Sequence, residues 1–200
     1  MRRPVLAVGV ALALVVAGGA TAVALAGASG GSAPAQVVAT ASGSPSAEPV
    51  GASDFCFVEA MIFYRVEADE LATVVLAADG ISAETRDAAA ADAAHQREEL
   101  DALRAWYVEW APARPLEPTD DGACSGHGDH AAMPGIPSRS QRGALSSADG
   151  PEAEDLYLAL RAGVDAGIHD LAAQTLAAPG HPLVHAEAEA AAAEVAARRA

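Results

Sequence analysis

The sequence predicts an all-α fold, an antiparallel four-helix bundle behind an N-terminal export segment, and three observations carry that reading. Alanine dominates a composition that is 52% hydrophobic but only 4% aromatic. This suits close-packed helices rather than strands, which favour β-branched and aromatic side chains. Phe57, Met61, Tyr64, Ala68, Leu71 and Val75 follow one another at alternating steps of four and three, so they line one helix face that needs a partner. That stretch also echoes one hundred residues on, where Glu154 matches Asp54, Tyr157 matches Phe57, and Leu171-Ala172 matches Leu71-Ala72. The echo predicts a duplicated helical hairpin.

Arg2 and Arg3 precede an uncharged apolar run over residues 4–28. The run is long enough to span a bilayer, yet it ends in small-x-small sequences of the kind signal peptidase accepts, so 1–28 is either a cleaved signal or a membrane anchor. Both place the body outside the cytoplasm, secreted or anchored through residues 4–28. Residues 29–52 are mostly Gly, Ser, Ala, Pro and Thr and cannot bury enough apolar surface to order themselves, which marks a linker.

The domain is expected over 53–200. Ser53 is placed to cap the first helix, Asp54 suits its positive end, and Asp79-Gly80 stops it. Ser82 caps a second helix carrying Leu100, Leu103, Tyr107 and Trp110, which Pro112 and Pro115 end. A crossover over 111–150, rich in Pro, Gly, Ser, Asp and His, is long enough either to cross the bundle or to carry a site. Pro151 opens a third helix lined by Leu156, Leu160, Val164, Ile168 and Leu171, and Pro182 opens a fourth that ends at Arg198-Arg199.

The twelve basic residues are all Arg, the acidic residues number 27, and the net charge is −15. With no basic stripe to neutralise phosphates, a nucleic-acid partner is not expected. Cell-envelope association fits the export segment, whereas no residue pattern specifies a protein partner or an oligomeric state. Cys56 and Cys124 are the only cysteines, and an exported chain meets oxidising conditions, so a disulfide between them is expected. Such a closure is worth about 4 kcal/mol from chain entropy alone. The competing reading of the same loop is a copper-like soft-ion site, since Cys124, His127, His130 and Met133 supply thiolate, imidazole and thioether ligands within ten residues. His95 and His169 read as ordinary helix residues, His181 as a possible cap, and His185 as its neighbour one turn on. Trp106, Tyr107 and Trp110 read as core packing. No Glu-x-x-His pair of the di-iron kind is present, so neither a cofactor nor an enzyme activity is expected.

Asp54, Phe57 and Met61-Ile62, then Gln96, Glu99-Leu100 and Trp106, then Met133-Pro134-Gly135 together resemble the bacterial family known as domain of unknown function 305, over about residues 54–199. The resemblance implies a ferritin-like four-helix fold that is usually exported, and a metal centre, copper in particular, built on two His-His pairs. Here those pairs read Tyr64-Arg65 and Val164-Asp165, and the family's methionines fall on Leu103, Arg161 and Leu171. Such side chains cannot replace imidazole and thioether ligands. The fold is therefore carried over, the metal centre is read as degenerate, and an Arg65–Asp165 ion pair is expected across the bundle in its place.

Overall fold

The computed structural model describes residues 49–115 and 130–199. All of them belong to one unit, Pro45–Ala200. Among the described residues the chain is all-helical, with five helices and no strand: α1 (Ala52–Ala77), α2 (Ala83–Glu109), α3 (Arg139–Ser147), α4 (Gly150–Leu176) and α5 (Pro182–Arg199). Short 3-10 turns follow α2 and precede α3. The expected export segment and most of the linker lie outside the described residues, and no described helix is long and apolar enough to cross a membrane.

α1 is the central element. The six residues expected on its face are all buried, and Phe55, Val58, Ala60 and Ala72 join them, so apolar surface is covered on more than one side. Full burial of a Phe, Leu or Met side chain is worth roughly 1.5–3 kcal/mol. α1 packs chiefly against α2 and α4, and α4 packs against α5. The start of α1 meets the end of α2 through the Phe55 and Tyr107 rings, 5.0 Å apart, while Asp69 further along α1 pairs with Arg97 nearer the start of α2 at 3.0 Å. Chain direction therefore reverses between them.

Burial on α4 repeats that on α1 at the hundred-residue step: Tyr157, Leu160, Val164, Ile168 and Leu171 are buried, as are Phe57, Ala60, Tyr64, Ala68 and Leu71. The buried positions of α5, Val184, Ala188, Ala191 and Val195, likewise repeat Ala89, Ala93, Gln96 and Leu100 of α2 at a step of ninety-five. The helix starts are tied in matching fashion. The Asp54 carboxylate of α1 accepts from the backbone N–H of His181, which leads into α5, at 2.7 Å. Glu154 of α4 accepts from the backbone N–H of Ser82, the cap of α2, at 2.6 Å. A carboxylate of α1 thus satisfies a backbone donor at the start of α5, and one of α4 a backbone donor at the start of α2.

Two expectations are corrected. Gly51, not Ser53, caps α1, because the Asp54 carboxylate reaches back to the Gly51 N–H at 2.8 Å and closes the first turn. The crossover also holds a helix the sequence pattern did not show, α3. Its start is a reciprocal Ser138/Gln141 capping box, but it buries only Leu145, so no apolar stripe announces it. Arg142 of α3 pairs with buried Glu67 of α1 at 2.5 Å.

Met133-Pro134-Gly135 of the crossover lies on α4 where Gly163 and Gly167 leave its backbone uncovered. Gly135 has φ +80, and a Cβ there would sit 2.1 Å from the Gly163 carbonyl oxygen. A Cβ on Gly167 would sit 2.3 Å from the Pro134 carbonyl oxygen. Tyr64 completes the clasp by donating its hydroxyl to the Pro134 carbonyl at 2.8 Å.

Candidate functional site

Midway along the bundle the apolar core gives way to a closed ring of charged and polar side chains drawn from all four long helices. Nη1 of Arg65 (α1) donates to Gln96 Oε1 (α2) at 3.1 Å and to Glu194 Oε2 (α5) at 2.8 Å. Gln96 Nε2 donates in turn to Asp92 Oδ1 at 2.8 Å. Asp92 is held by Arg161 of α4 through two nitrogens, Nε at 2.8 Å and Nη2 at 3.2 Å. Arg161 Nη1 reaches Asp165 Oδ1 at 2.6 Å, and Asp165 Oδ2 accepts from Arg198 Nε of α5 at 3.1 Å. Arg198 pairs with Glu194, which closes the circuit. Three guanidinium groups balance three carboxylates.

Burial makes this arrangement consequential. Arg65 is 1% exposed, Gln96 0%, and Arg161 and Asp165 5% each, so each charge depends on its ring neighbours in place of water. Burial alone would raise the pKa of Asp92, but the hydrogen bond and charge of Arg161, with help from Gln96 and Arg198, hold it below the ordinary carboxylate range. Glu194 is also opposed by burial, yet Arg65 and Arg198 pull it down to about 2. The Tyr157 hydroxyl donates to Asp92 Oδ2 at 3.2 Å, and burial with the Asp92 charge pushes its pKa up. The Tyr64 hydroxyl is pushed up to about 12, by burial first and then by Asp170. Neither phenol is poised as a base near neutral pH, and the ring's carboxylates and guanidiniums are committed to one another.

Tyr64, Arg65, Val164 and Asp165 are all buried, and the structure divides them. Tyr64 belongs to the crossover clasp, Val164 is core, and Arg65 and Asp165 enter the ring. The direct Arg65–Asp165 pair is corrected: the two are joined through Glu194 and Arg198, because α5 supplies a nearer partner of the right sign to each. Asp92, Glu194 and Arg198 were missed. Their available signal was i, i+4 spacing: Asp92 with Gln96, Arg161 with Asp165, and Glu194 with Arg198.

The crossover candidates fare differently. Cys124 and His127 lie outside the described residues, and so does any pairing of Cys56 with Cys124; Cys56 is buried, and no described cysteine is free. His130 stacks on Phe63, ring centroids 5.0 Å apart, and Met133 packs against the core. Among the described residues no group of three or more His, Cys, Asp or Glu side chains is placed to hold a metal ion. The His181 ring accepts from the Leu183 N–H at 3.2 Å, the capping role its position suggested, and His185 Nε2 lies 3.0 Å from the Ala178 carbonyl oxygen. The aromatic cluster is packing: Trp106 and Trp110 stack at 5.3 Å, and Trp110 meets His181.

Fold and centre together define a helical bundle with a ring of paired charges, Arg65, Arg161 and Asp165 buried and the rest nearer the surface. The chain belongs to the family described as Domain of unknown function (DUF305), whose sequence pattern matches residues 54–196. Two solved structures of that family share the fold. One is a Streptomyces coelicolor protein whose description proposes that it is secreted, with a TM-score of 0.63 and 22% identity over 74% of this chain and 87% of that one. The other is a Deinococcus radiodurans fragment, with a TM-score of 0.60 and 23% identity over 74% of this chain and 91% of that one. No curated protein matches the sequence.

Proposed function

We propose that this chain is an extracytoplasmic, non-catalytic member of its family: a ferritin-like antiparallel four-helix bundle of two repeated hairpins in which an ion ring stands where the family's histidines would gather. The closed ring carries this reading. A metal centre needs ligands free to bind, and here Arg65 and Asp165 fill the positions of two expected histidines while Arg161 fills that of an expected methionine, all three bound to neighbours. The repeated burial pattern and the matching ties by Asp54 and Glu154 support the duplicated hairpin. Export is supported by residues 1–28 and by the description of the Streptomyces relative. Secretion and anchoring through residues 4–28 both fit the sequence, and a Cys56–Cys124 disulfide fits that compartment. The net charge of −15 argues against a nucleic-acid partner.

Metal analysis of the purified full-length protein, with a free-thiol count, tests the reading. The expected result is no stoichiometric ion and no free thiol. A stoichiometric copper-like ion accompanied by free thiols would transfer the function to the crossover set Cys124, His127, His130 and Met133.

A further inference from the structure

Beside the ring, between α2 and α5, one carboxylate has no place in the circuit. Glu187 lies one helical stretch before Glu194 on α5, and its side chain is 14% exposed. Its Oε1 is 3.8 Å from Arg65 Nη2, an ion-pair distance but too long for a hydrogen bond, and it has no hydrogen-bond partner. The Arg65 Nε is also buried without a partner, while Nη1 of the same guanidinium is committed to Glu194 and Gln96. One buried cation is thus offered to two carboxylates and serves one of them well.

We infer that Glu187 and Arg65 form a proton-binding site in which the protonation state of Glu187 decides whether Arg65 is shared or held by Glu194 alone. The groups acting on Glu187 come from three helices. Arg65 of α1 favours its charged form, and so does His95 of α2 when protonated; Glu99 of α2 and Glu194 of α5 oppose it. α4 enters indirectly, since Asp165 and Arg161 fix Arg198, which holds Glu194. Burial first, and Glu99 next, push the Glu187 carboxyl above its ordinary range. His95, whose side chain is 41% exposed, places Nε2 3.0 Å from Glu194 Oε1. With a proton on Glu187 the ring keeps Arg65 undivided; without it, a second buried anion competes for the same guanidinium. The ligand is the proton, and the responding element is the Arg65 side chain.

The sign follows from linkage. A folded-state pKa raised above the usual 4.5 means that the folded chain binds more protons than the unfolded one between those two values, so this group adds stability as pH falls through that window. Two measurements on the full-length chain test it. In urea at pH 7, Glu187→Gln should unfold at a midpoint equal to or above that of the parent, and the parent should gain on the variant as pH is lowered toward 4.5. A variant that is less stable at pH 7 and converges on the parent in acid overturns the inference. Independently, a carbon-13 titration of the Glu187 carboxyl in the unmodified protein should have its midpoint above 4.5, and Glu99→Gln should move it down. A midpoint at or below 4.5, or one indifferent to Glu99→Gln, also overturns it. Neither outcome depends on whether the protein binds a metal, so this test and that of the proposed function fail separately.

Discussion

Replacing Arg65 with methionine is the most informative single perturbation, because it keeps most of the side-chain volume while removing one of the ring's three cations. Glu194 then loses its 2.8 Å partner, Glu187 loses the cation 3.8 Å away, and Gln96 loses a donor. Removing one member of a buried pair typically costs 3–5 kcal/mol. Glu194 and Glu187 are 19% and 14% exposed, so some of the orphaned charge is hydrated and the lower end applies. A second route agrees. Holding Glu194 at about 2 instead of 4.5 corresponds to roughly 3 kcal/mol of folding free energy; Arg198 shares in that shift, which leaves about 2 kcal/mol to Arg65. Because the folded pKa is depressed, this stability is fully present above pH 4.5 and is lost as pH falls toward 2. Urea unfolding of parent and Arg65→Met between pH 7 and pH 2.5 should therefore show a gap of about 2–3 kcal/mol at neutral pH that narrows in acid. A gap below about 0.5 kcal/mol, the size of ordinary surface effects, or one that does not change with pH, would refute the reasoning.

Other outcomes follow from the same contacts. Gly167→Ala should cost about 1–3 kcal/mol in thermal unfolding, since its Cβ would overlap the Pro134 carbonyl and the Tyr64 hydroxyl; Tyr64→Phe should cost about 1 kcal/mol by leaving that carbonyl unpaired. Asp54→Ala should destabilise by about 1–2 kcal/mol, because two backbone donors, those of Gly51 and His181, lose their acceptor. A double-mutant cycle on Arg65→Ala and Asp165→Ala should give a favourable coupling smaller than about 1 kcal/mol, since Glu194 and Arg198 stand between the two.

The long helices were legible because their signals are local. Phe57 to Val75 on α1 and Leu160 to Leu171 on α4 show helical apolar spacing, and Ser82, Pro151 and Pro182 mark helix starts. α3 was not legible, because one buried leucine makes no stripe. At the centre, the sequence repeat pointed to Arg65 and Asp165 as the notable positions, and both proved to be buried. Which partner each would choose depended on how α5 lies across the other helices. Glu194 and Arg198 sit in an Ala- and Glu-rich stretch that by itself reads as a solvated face. The Met133-Pro134-Gly135 run was visible as a likeness, whereas its physical reason, backbone contact with Gly163 and Gly167, involves residues about thirty positions away and required the structure.

The account stands or falls on what occupies the middle of the bundle. The decisive measurement is calorimetric titration with copper or zinc of the full-length parent beside the variant carrying Tyr64→His, Arg65→His, Val164→His and Asp165→His. The account predicts no binding at the centre of the parent and a metal affinity there in the variant that the parent lacks. One ion bound by the parent and lost on Glu194→Gln or Asp165→Asn would contradict it, for the ring would then be a metal site rather than the replacement for one.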